Sequence, residues 1–441
     1  MSYATARHRS ANSEVNKLYP EDRAIHEWYR FVLSFPPHLV RDYLARFSVD
    51  HHHCVLDPFC GTGTVLVECK KLGIPSIGIE ANPMAHFAAQ VKVDWNLNPD
   101  HLLEHASQVA ETAAVQLKSE GIEDIAFFQV IRNDVPLRTL SSELVKLLLT
   151  NSISPLPLHK TLVLLDCLKQ HYDERYYSHE RLALAKVLVY AISNLQFGPE
   201  VGVGAPKHDA PVVATWLSAI RAMVNDLRTV QSRRDTHANV HLADARDVVQ
   251  VLAPNSIDVV ITSPPYPNEK DYTRTTRLES VLLGFISNKA ELQALKRGLV
   301  RSNTRGVYKD DTDDQWVAEH LEIQRIAEAI EVRRIELGKT SGFERLYARV
   351  TKLYFGGIAR HLADLRSALR PNAQLAYVVG DQASYLRVKI PTGQLLADIA
   401  QSLGYELVSI DLFRTRLATA TKEQLREEVV VLRWPGTISP E

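Results

Sequence analysis

The 441-residue sequence is poor in cysteine and carries almost no net charge. Its four cysteines form no Cys-x-x-Cys pair, which argues against a zinc site and predicts reduced thiols in a cytoplasmic protein. The formal net charge is −1, so any nucleic-acid surface must be a local patch. No stretch approaches the ~20 apolar residues of a membrane span, and the polar N-terminus lacks the apolar core of a secretory signal.

The remaining composition is that of an ordinary globular protein, with 45% hydrophobic and 23% charged residues. The run His51-His52-His53 suggests a metal site, but it leads into a predicted strand, where neighbouring side chains point to opposite faces. We therefore expect no bound metal.

The first informative motif is Asp57-Pro58-Phe59-Cys60-Gly61-Thr62-Gly63-Thr64, which we call the glycine loop. It joins a predicted strand over 54–57 to a predicted helix over 64–72. Glycine lets a backbone approach a ligand closely. The loop lacks the Gly-Lys-Thr/Ser of a phosphate loop, and Leu66 stands where a dinucleotide loop usually has a third glycine. The next predicted strand, 76–80, ends at Glu80, whose carboxylate can accept both ribose hydroxyls of a nucleoside.

The second motif is Thr262-Ser263-Pro264-Pro265-Tyr266, which we call the clamp loop. It follows a predicted apolar strand over 257–261. The two prolines stiffen the loop and direct the carbonyl group of Pro264. A plain proline-rich turn or a peptide-ligand motif is the alternative interpretation.

In this order, the two motifs resemble those of the S-adenosylmethionine-dependent DNA amino-methyltransferases, which methylate cytosine-N4 or adenine-N6. The resemblance covers about 24–95 and 238–434. It implies an α/β fold: a Rossmann-like methyltransferase sheet with an antiparallel C-terminal edge and two inserted segments, the first mostly helical. The expected division of the chain is an arm over 1–23, methyltransferase parts over 24–97, 238–284 and 351–441, a helical insertion over 98–237, and a basic insertion over 285–350.

The resemblance also implies roles for individual residues. Ser263 and the Pro264 carbonyl would accept hydrogen bonds from the target amine, while Pro265 stiffens the loop and Tyr266 stacks on a base flipped out of the helix. Serine at the head of the clamp is more typical of cytosine-N4 enzymes, so cytosine is favoured over adenine. Asp247 competes with Asp244 for the adenine amine of the cofactor. The implied cofactor residues are Asp57, Phe59, Gly61, Gly63, Thr64, Glu80 and Asp244.

A basic stretch follows the clamp loop. Residues 266–309 contain nine Lys or Arg against four acids, a balance of +5. We expect part of it to contact DNA phosphates beside the flipped base, although a solvated charged loop is the alternative. The predicted contacts are Lys296, Arg297, Arg301 and Arg305. Four acids, Asp310, Asp311, Asp313 and Asp314, are interpreted as the start of a helix from about 314 to 337.

The other elements follow from periodicity. We predict helices over 181–193, 211–232 and 394–403, a loop from Phe197 to Pro211, and strands over 240–244, 374–380, 406–412 and 427–433.

DNA is the expected partner, and a separate restriction or defence-system protein is a further one. An RNA base-amine methyltransferase and a non-catalytic nucleic-acid-binding subunit remain alternatives. The intact Gly61, Gly63, Glu80, Ser263 and Tyr266 speak against the last of these.

Overall fold

The computed structural model describes residues 16–30, 34–124, 136–197, 200–268, 270–417 and 424–436. Its strands are β1 Val55–Asp57, β2 Ser76–Glu80, β3 Leu195–Phe197, β4 Val201–Val203, β5 Ala238–Leu242, β6 Ile257–Thr262, β7 Leu369–Gly380, β8 Glu406–Leu417 and β9 Gln424–Arg433. Its α-helices are α1 Pro37–Arg46, α2 Thr64–Leu72, α3 Pro83–Val93, α4 Pro99–Ser119, α5 Ser142–Leu147, α6 Pro155–Gln170, α7 Glu174–Val187, α8 Val212–Val230, α9 Tyr272–Thr275, α10 Arg277–Leu282, α11 Lys289–Arg297, α12 Leu321–Glu336, α13 Tyr347–Leu365 and α14 Thr392–Ser402.

Seven strands form one twisted sheet in the order β5-β2-β1-β6-β7-β9-β8. Strands β5, β2, β1, β6 and β7 are parallel. Strand β9 runs antiparallel to both of its neighbours, β7 and β8. This is the Rossmann-like methyltransferase sheet with an antiparallel C-terminal edge that the sequence predicts.

Strands β1 and β6 lie at the point where the order of the sheet reverses. Strand β2 continues from β1 to one side, while β6 and β7 extend the sheet to the other. In open α/β sheets, ligands bind outside the carboxyl ends of the strands at such a switch point. The glycine loop follows β1 and the clamp loop follows β6, so the topology directs both motifs to this crevice.

Helices cover both faces of the sheet, as the alternation of side chains on β6 shows. Val259 and Ile261 pack into a core with α1–α4 and α6–α8. Val260, between them, packs into a second core with α12, α13 and α14. Successive side chains on a strand point to opposite faces, so a strand covered on both sides is apolar throughout. The described residues include no helix that is long and apolar enough to cross a membrane.

The segment between α3 and β5 is mostly helical, as predicted. Helix α8 confirms the prediction over 211–232, and α7 continues into a π-helical turn at Leu188–Ile192 that covers the rest of 181–193. The predicted loop from Phe197 to Pro211 is partly wrong. Residues Val201–Val203 pair antiparallel with Leu195–Phe197 in a small two-stranded sheet, because β-branched Val201 and Val203 outweigh the glycines that interrupt them.

The predicted helix over 314–337 begins later than expected. Asp313–Val317 forms a 3-10 turn, and α12 starts at Leu321, where the side chain of His320 accepts a hydrogen bond from the Ile323 amide. The helical end is correct, since Gly338 takes a left-handed φ of +60° just beyond it.

The C-terminal elements are confirmed with longer strands. Strand β7 starts five residues before the predicted 374, and β8 extends to Leu417 instead of 412. Helix α14 and strand β9 match their predicted positions within three residues.

Candidate active site

Asp57 ends β1 beneath the glycine loop and is 1% exposed. Its Oδ1 accepts a hydrogen bond from the Thr262 hydroxyl at 2.6 Å and another from the Phe59 amide at 3.2 Å. Burial raises the pKa of this carboxyl group to about 7. Asp57 therefore holds the glycine loop against β6, and it is not among the described residues that line the cavity.

Gly61 and Glu80 form a tight pair at the ends of β1 and β2. Gly61 has a left-handed φ of +52°, and its amide donates to Glu80 Oε2 at 2.9 Å. The other carboxylate oxygen accepts from the Asn82 amide at 2.7 Å. Burial raises the pKa of Glu80 to about 7. Each oxygen keeps a second lone pair, so the carboxylate can still accept hydrogen bonds from a ligand.

Gly63 is constrained by the packing of the glycine loop against α3. Its φ is +82°, and a Cβ built there would lie 3.2 Å from both Cα and Cβ of Ala89 in α3. The cavity wall formed by the described residues includes Gly61 and Thr64 but not Gly63. A side chain at Gly63 would thus collide with a neighbouring helix, so packing by itself already requires glycine at this position.

Phe59 and Asp244 line the cavity from β1 and from the loop after β5. The Phe59 ring meets the buried His361 edge-on, with centroids 5.0 Å apart. Asp244 accepts from Arg246 Nε at 3.0 Å. Asp247, the competing residue, pairs instead with Arg360, outside the described cavity wall. Of these two carboxylates, Asp244 is the one that lines the described cavity, and both of its oxygens accept hydrogen bonds from Arg246.

Ser263 heads the clamp loop directly after β6. Its hydroxyl donates a hydrogen bond of 3.1 Å to the carbonyl oxygen of Val378 in β7. Because the only proton of the hydroxyl is used in this way, its remaining lone pair can only accept. Ser263 lines the cavity, and its side chain also lies within hydrogen-bonding reach of the Tyr266 phenol.

Tyr266 closes the clamp loop against the end of β7. A Cβ built on Gly380 would lie 3.1 Å from Tyr266 Cε2, so the ring packs against a glycine that leaves it just enough room. Burial, followed by the nearby Glu427, raises the pKa of Tyr266, and the phenol therefore stays neutral.

The two loops line one continuous cavity of about 330 Å³. Of the residues proposed from the sequence, the described cavity wall contains Phe59, Gly61, Thr64, Glu80, Asp244, Ser263, Pro264, Pro265, Tyr266, Lys296 and Arg301. It also contains residues that sequence reasoning missed: Lys270, Phe413, Arg414, Arg416 and Glu427. Arginines two residues apart near the end of a strand share one face, and this pattern could have pointed to Arg414 and Arg416.

The basic stretch is less available than its sequence suggests. Lys296 pairs with Asp271 at 2.8 Å, and Arg297 pairs with Asp310 at 2.7 Å on the surface. Arg301 is 4% exposed and donates to both oxygens of Asp311, at 2.9 and 2.7 Å. The guanidinium group of Arg301 is therefore buried and already paired with Asp311. Arg301 is a structural cation and not the predicted phosphate contact. The guanidinium of Arg305 lies 5.9 Å from the ring of Phe343.

The acidic residues that follow the basic stretch are paired with arginines and do not begin the predicted α-helix. Asp310 and Asp311 pair with Arg297 and Arg301, and Asp313 pairs with the buried Arg246. The interpretation of Asp310 to Asp314 as the N-terminus of a long helix was therefore wrong. Arg246 bridges Asp313 to Asp244 and so links this segment to the cavity. No group of three or more possible metal-binding side chains occurs among the described residues.

A family model described as DNA methylase matches residues 5–90, which include the glycine loop and Glu80. The chain is 25% identical to the Type II methyltransferase M.BsoBI of Geobacillus stearothermophilus, an alignment that covers 95% of this chain and 86% of the relative. It is 21% identical to the Type II methyltransferase M.AvaI of a Nostoc species, covering 96% of this chain and 88% of the relative. A solved rRNA methyltransferase, aviRa from Streptomyces viridochromogenes, aligns with 12% identity over 96% of each chain, but its TM-score of 0.35 is too low to carry an argument.

The sheet is that of a Rossmann-like methyltransferase, and the cavity lies at its switch point. The matching family model is described as DNA methylase, and the two relatives that align over nearly the whole chain are both Type II methyltransferases. The protein is a methyltransferase, similar to the DNA methylase family and to Type II methyltransferases.

Proposed function

We propose that this protein transfers a methyl group from S-adenosylmethionine to the exocyclic amine of a base flipped out of DNA, with cytosine-N4 as the favoured target. One observation carries the proposal: the glycine loop and the clamp loop, about 200 residues apart, line the same cavity. A methyl donor and an acceptor amine must meet within one enclosed site for direct transfer.

The part of the cavity that the glycine loop, Glu80 and Asp244 line fits a nucleoside. Gly61 leaves its face of the cavity without a side chain, Glu80 has lone pairs for two ribose hydroxyls, and Asp244 can accept from an adenine amine. Phe59 supplies an apolar ring, and Thr64 begins α2 at the cavity wall. S-adenosylmethionine would supply a sulfonium methyl group. Asp57 and Gly63 support this part of the cavity through packing and are not proposed to contact the cofactor.

The part of the cavity that the clamp loop lines fits an aromatic amine. The lone pair of such an amine is delocalised into the ring. Hydrogen-bond acceptors at both N–H groups favour localisation of this lone pair on the nitrogen. Ser263 Oγ and the Pro264 carbonyl are the proposed acceptors, and Tyr266 is the proposed stacking surface. The amine that accepts the methyl group would release one proton to solvent. Both acceptors stabilise the positive charge that develops on nitrogen.

DNA would be held by surface cations near the cavity. After removal of the buried Arg301 from the expected set, we propose Arg297 and Arg305 as phosphate contacts, with Lys296 positioned by Asp271 at the cavity wall. The segment 285–350 is the proposed recognition region, and 98–237 and 285–350 are proposed as insertions into the methyltransferase sheet. The relatives are named Type II methyltransferases, and we propose a separate restriction or defence-system protein as a companion.

Replacement of Ser263 and Tyr266 tests this function. Ser263→Ala removes an acceptor and should lower kcat by roughly 10- to 100-fold with little effect on DNA affinity, because that hydrogen bond strengthens in the transition state. Tyr266→Ala should also weaken binding of the flipped base, since stacking is worth about 1–3 kcal/mol. Both variants should bind S-adenosylmethionine normally.

Ser107→Ala and Tyr172→Ala are matched controls at exposed positions in and between helices of the 98–237 segment. They should transfer methyl groups at the wild-type rate. Wild-type rates in Ser263→Ala and Tyr266→Ala as well would show that the clamp loop is only a structural turn.

A further inference from the structure

Three charged side chains near the ends of β8 and β9 line the same cavity as the clamp loop: Arg414, Arg416 and Glu427. Glu427 is 8% exposed and accepts a hydrogen bond from Arg414 Nε. Its other oxygen lies 3.7 Å from Arg416 Nε. A Cβ built on Gly380 would lie 3.1 Å from Glu427 Cγ and from Tyr266 Cε2, so the carboxylate stem and the proposed stacking ring flank one point.

Arg416 has donors that the protein leaves unused. One Nη2 hydrogen goes to the Asp381 carbonyl oxygen at 2.8 Å, which fixes the plane of the guanidinium group. Nε is buried and has no hydrogen-bond acceptor among the described residues. This edge of the guanidinium group faces the Glu427 carboxylate. The rest of the guanidinium group lies at the cavity wall, where its Nη atoms can donate to an acceptor in the cavity.

We propose that Arg416 reads the acceptor edge of the flipped base and thereby makes the site selective for cytosine, an inference that rests on the proposed function. Cytosine presents its amine, the ring nitrogen N3 and the carbonyl oxygen O2 in a row. Adenine presents its amine, the ring nitrogen N1 and then a C–H. With the amine held by Ser263 and Pro264, a guanidinium fork can donate to both N3 and O2 of cytosine but to only one atom of adenine.

Glu427 is a positioning residue in this arrangement. It contacts both arginines, so it neutralises one of two adjacent positive charges and keeps the guanidinium groups from separating. Arg416 is thus held beside Tyr266 before the base arrives. A preorganised donor costs less entropy when the base binds than a side chain that must be ordered at that moment.

The test compares two duplexes that differ only at the target position, with cytosine in one and an abasic site in the other. The target sequence is first read from the methylated positions in DNA of cells that express the protein. The variants are Arg416→Met, which removes the fork, and Arg416→Lys, which keeps only its charge. Arg433→Met is the matched control, because Arg433 pairs with Glu406 on the surface at the other end of β9.

Arg416→Met should lower kcat/KM on the cytosine duplex by about 10- to 100-fold, the effect of losing hydrogen bonds to a charged donor. It should bind the abasic duplex as tightly as wild type does. Arg416→Lys should recover little of the loss, and Arg433→Met should lose nothing. All variants should bind S-adenosylmethionine with unchanged affinity, which verifies the fold. Should Arg416→Met fail to fold, the same comparison with Arg416→Lys decides.

An equal loss of affinity on both duplexes, with a salt dependence shallower by about one unit of slope, would assign Arg416 to a phosphate and overturn the inference. Unchanged kinetics would overturn it too. The proposed function has a separate readout: wild-type protein that forms no methylated base would refute that function itself, whatever Arg416 contributes.

Discussion

The Thr262 hydroxyl donates a buried hydrogen bond of 2.6 Å to the Asp57 carboxylate, and so joins two residues that are 205 positions apart in the chain. Asp57 ends β1 and Thr262 ends the adjacent parallel strand β6. Each residue begins one of the two loops that line the cavity. The bond therefore fixes the glycine loop and the clamp loop relative to each other, before either contacts a ligand.

Gly61→Ala should weaken S-adenosylmethionine binding by at least about tenfold. Gly61 faces the cavity with a φ of +52°, and a methyl group there would occupy ligand space and disturb the hydrogen bond to Glu80. Isothermal titration calorimetry measures the change. Gly121→Ala is the matched control, because Gly121 has a φ of +75° and no described atom within 4 Å of a built Cβ. Equal affinities for wild type and Gly61→Ala would contradict the assignment of the loop.

Gly380→Ala should lower kcat while S-adenosylmethionine affinity stays unchanged. The added Cβ would lie 3.1 Å from Tyr266 Cε2, which is tighter than ordinary contact, so the ring must shift by a few tenths of an ångström. Small displacements of positioning groups can reduce turnover strongly. Gly202→Ala, also in a strand but with no described atom within 4 Å of the built Cβ, should leave kcat unaltered. Normal turnover in Gly380→Ala would mean that the position of Tyr266 does not matter.

Glu279 in α10 should make the protein less stable as the pH rises from about 4 to about 7. Burial raises the pKa of this carboxyl group to about 7, although a hydrogen bond from Tyr29 opposes the shift. In that range, the folded state retains a proton that the unfolded state has lost, so stability is greatest below the unfolded pKa and declines through the folded pKa. Asp57 and Glu80 act in the same direction.

Glu279→Gln should therefore make the decline in unfolding free energy between pH 5 and 6.5 less steep, by up to about 1.4 kcal/mol per pH unit. This is the slope that a single proton contributes when only the folded state binds it. Urea unfolding across this pH range measures the slope. Tyr29→Phe, which removes the opposing hydrogen bond, should instead extend the decline to higher pH. A slope that is identical in wild type and Glu279→Gln would show that the two states of the protein bind this proton equally.

Arg301 and Arg297 should respond differently to replacement by alanine. Arg301→Ala leaves Asp311 buried without its cation and should cost about 3–5 kcal/mol of unfolding free energy. Arg297→Ala, on the surface, should leave stability nearly unchanged but make the salt dependence of DNA binding shallower by about one unit of slope. Chemical denaturation and DNA titrations at several salt concentrations separate the two effects. A stable Arg301→Ala variant that has lost DNA affinity would instead support the prediction from the sequence that Arg301 contacts a DNA phosphate.

Local patterns made much of the fold predictable. The unit β1-α2-β2 is set by an apolar run, two glycines and the helix that follows, all within 26 residues, and its predicted boundaries differ from the structure by one residue at most. The antiparallel edge formed by β8 and β9 was also predictable, through the resemblance to the end of the methyltransferase sheet. The motifs correctly indicated that residues after β1 and β6 would meet, because parallel strands place their carboxyl ends at one edge.

Features that depend on distant partners were not predictable in this way. The acidic residues near Asp313 look like a helix start until Arg246, 67 positions away, is seen to pair with one of them. Arg301 looks like a surface cation in sequence, and only the position of Asp311 shows that it is buried. Gly63 matches a ligand-binding glycine, yet the limit on its side chain is set by Ala89 of α3. Periodicity and motif spacing contain no information about such pairings.

The most direct test is to incubate the purified protein with S-adenosylmethionine carrying a labelled methyl group and with unmethylated DNA, digest the DNA to nucleosides, and identify the product by mass. The proposal predicts N4-methyl-deoxycytidine in wild-type reactions and about 10- to 100-fold slower formation with Ser263→Ala. N6-methyl-deoxyadenosine would retain the enzyme class but contradict cytosine as the target. Transfer to RNA alone, or no labelled nucleoside at all, would contradict the proposed function.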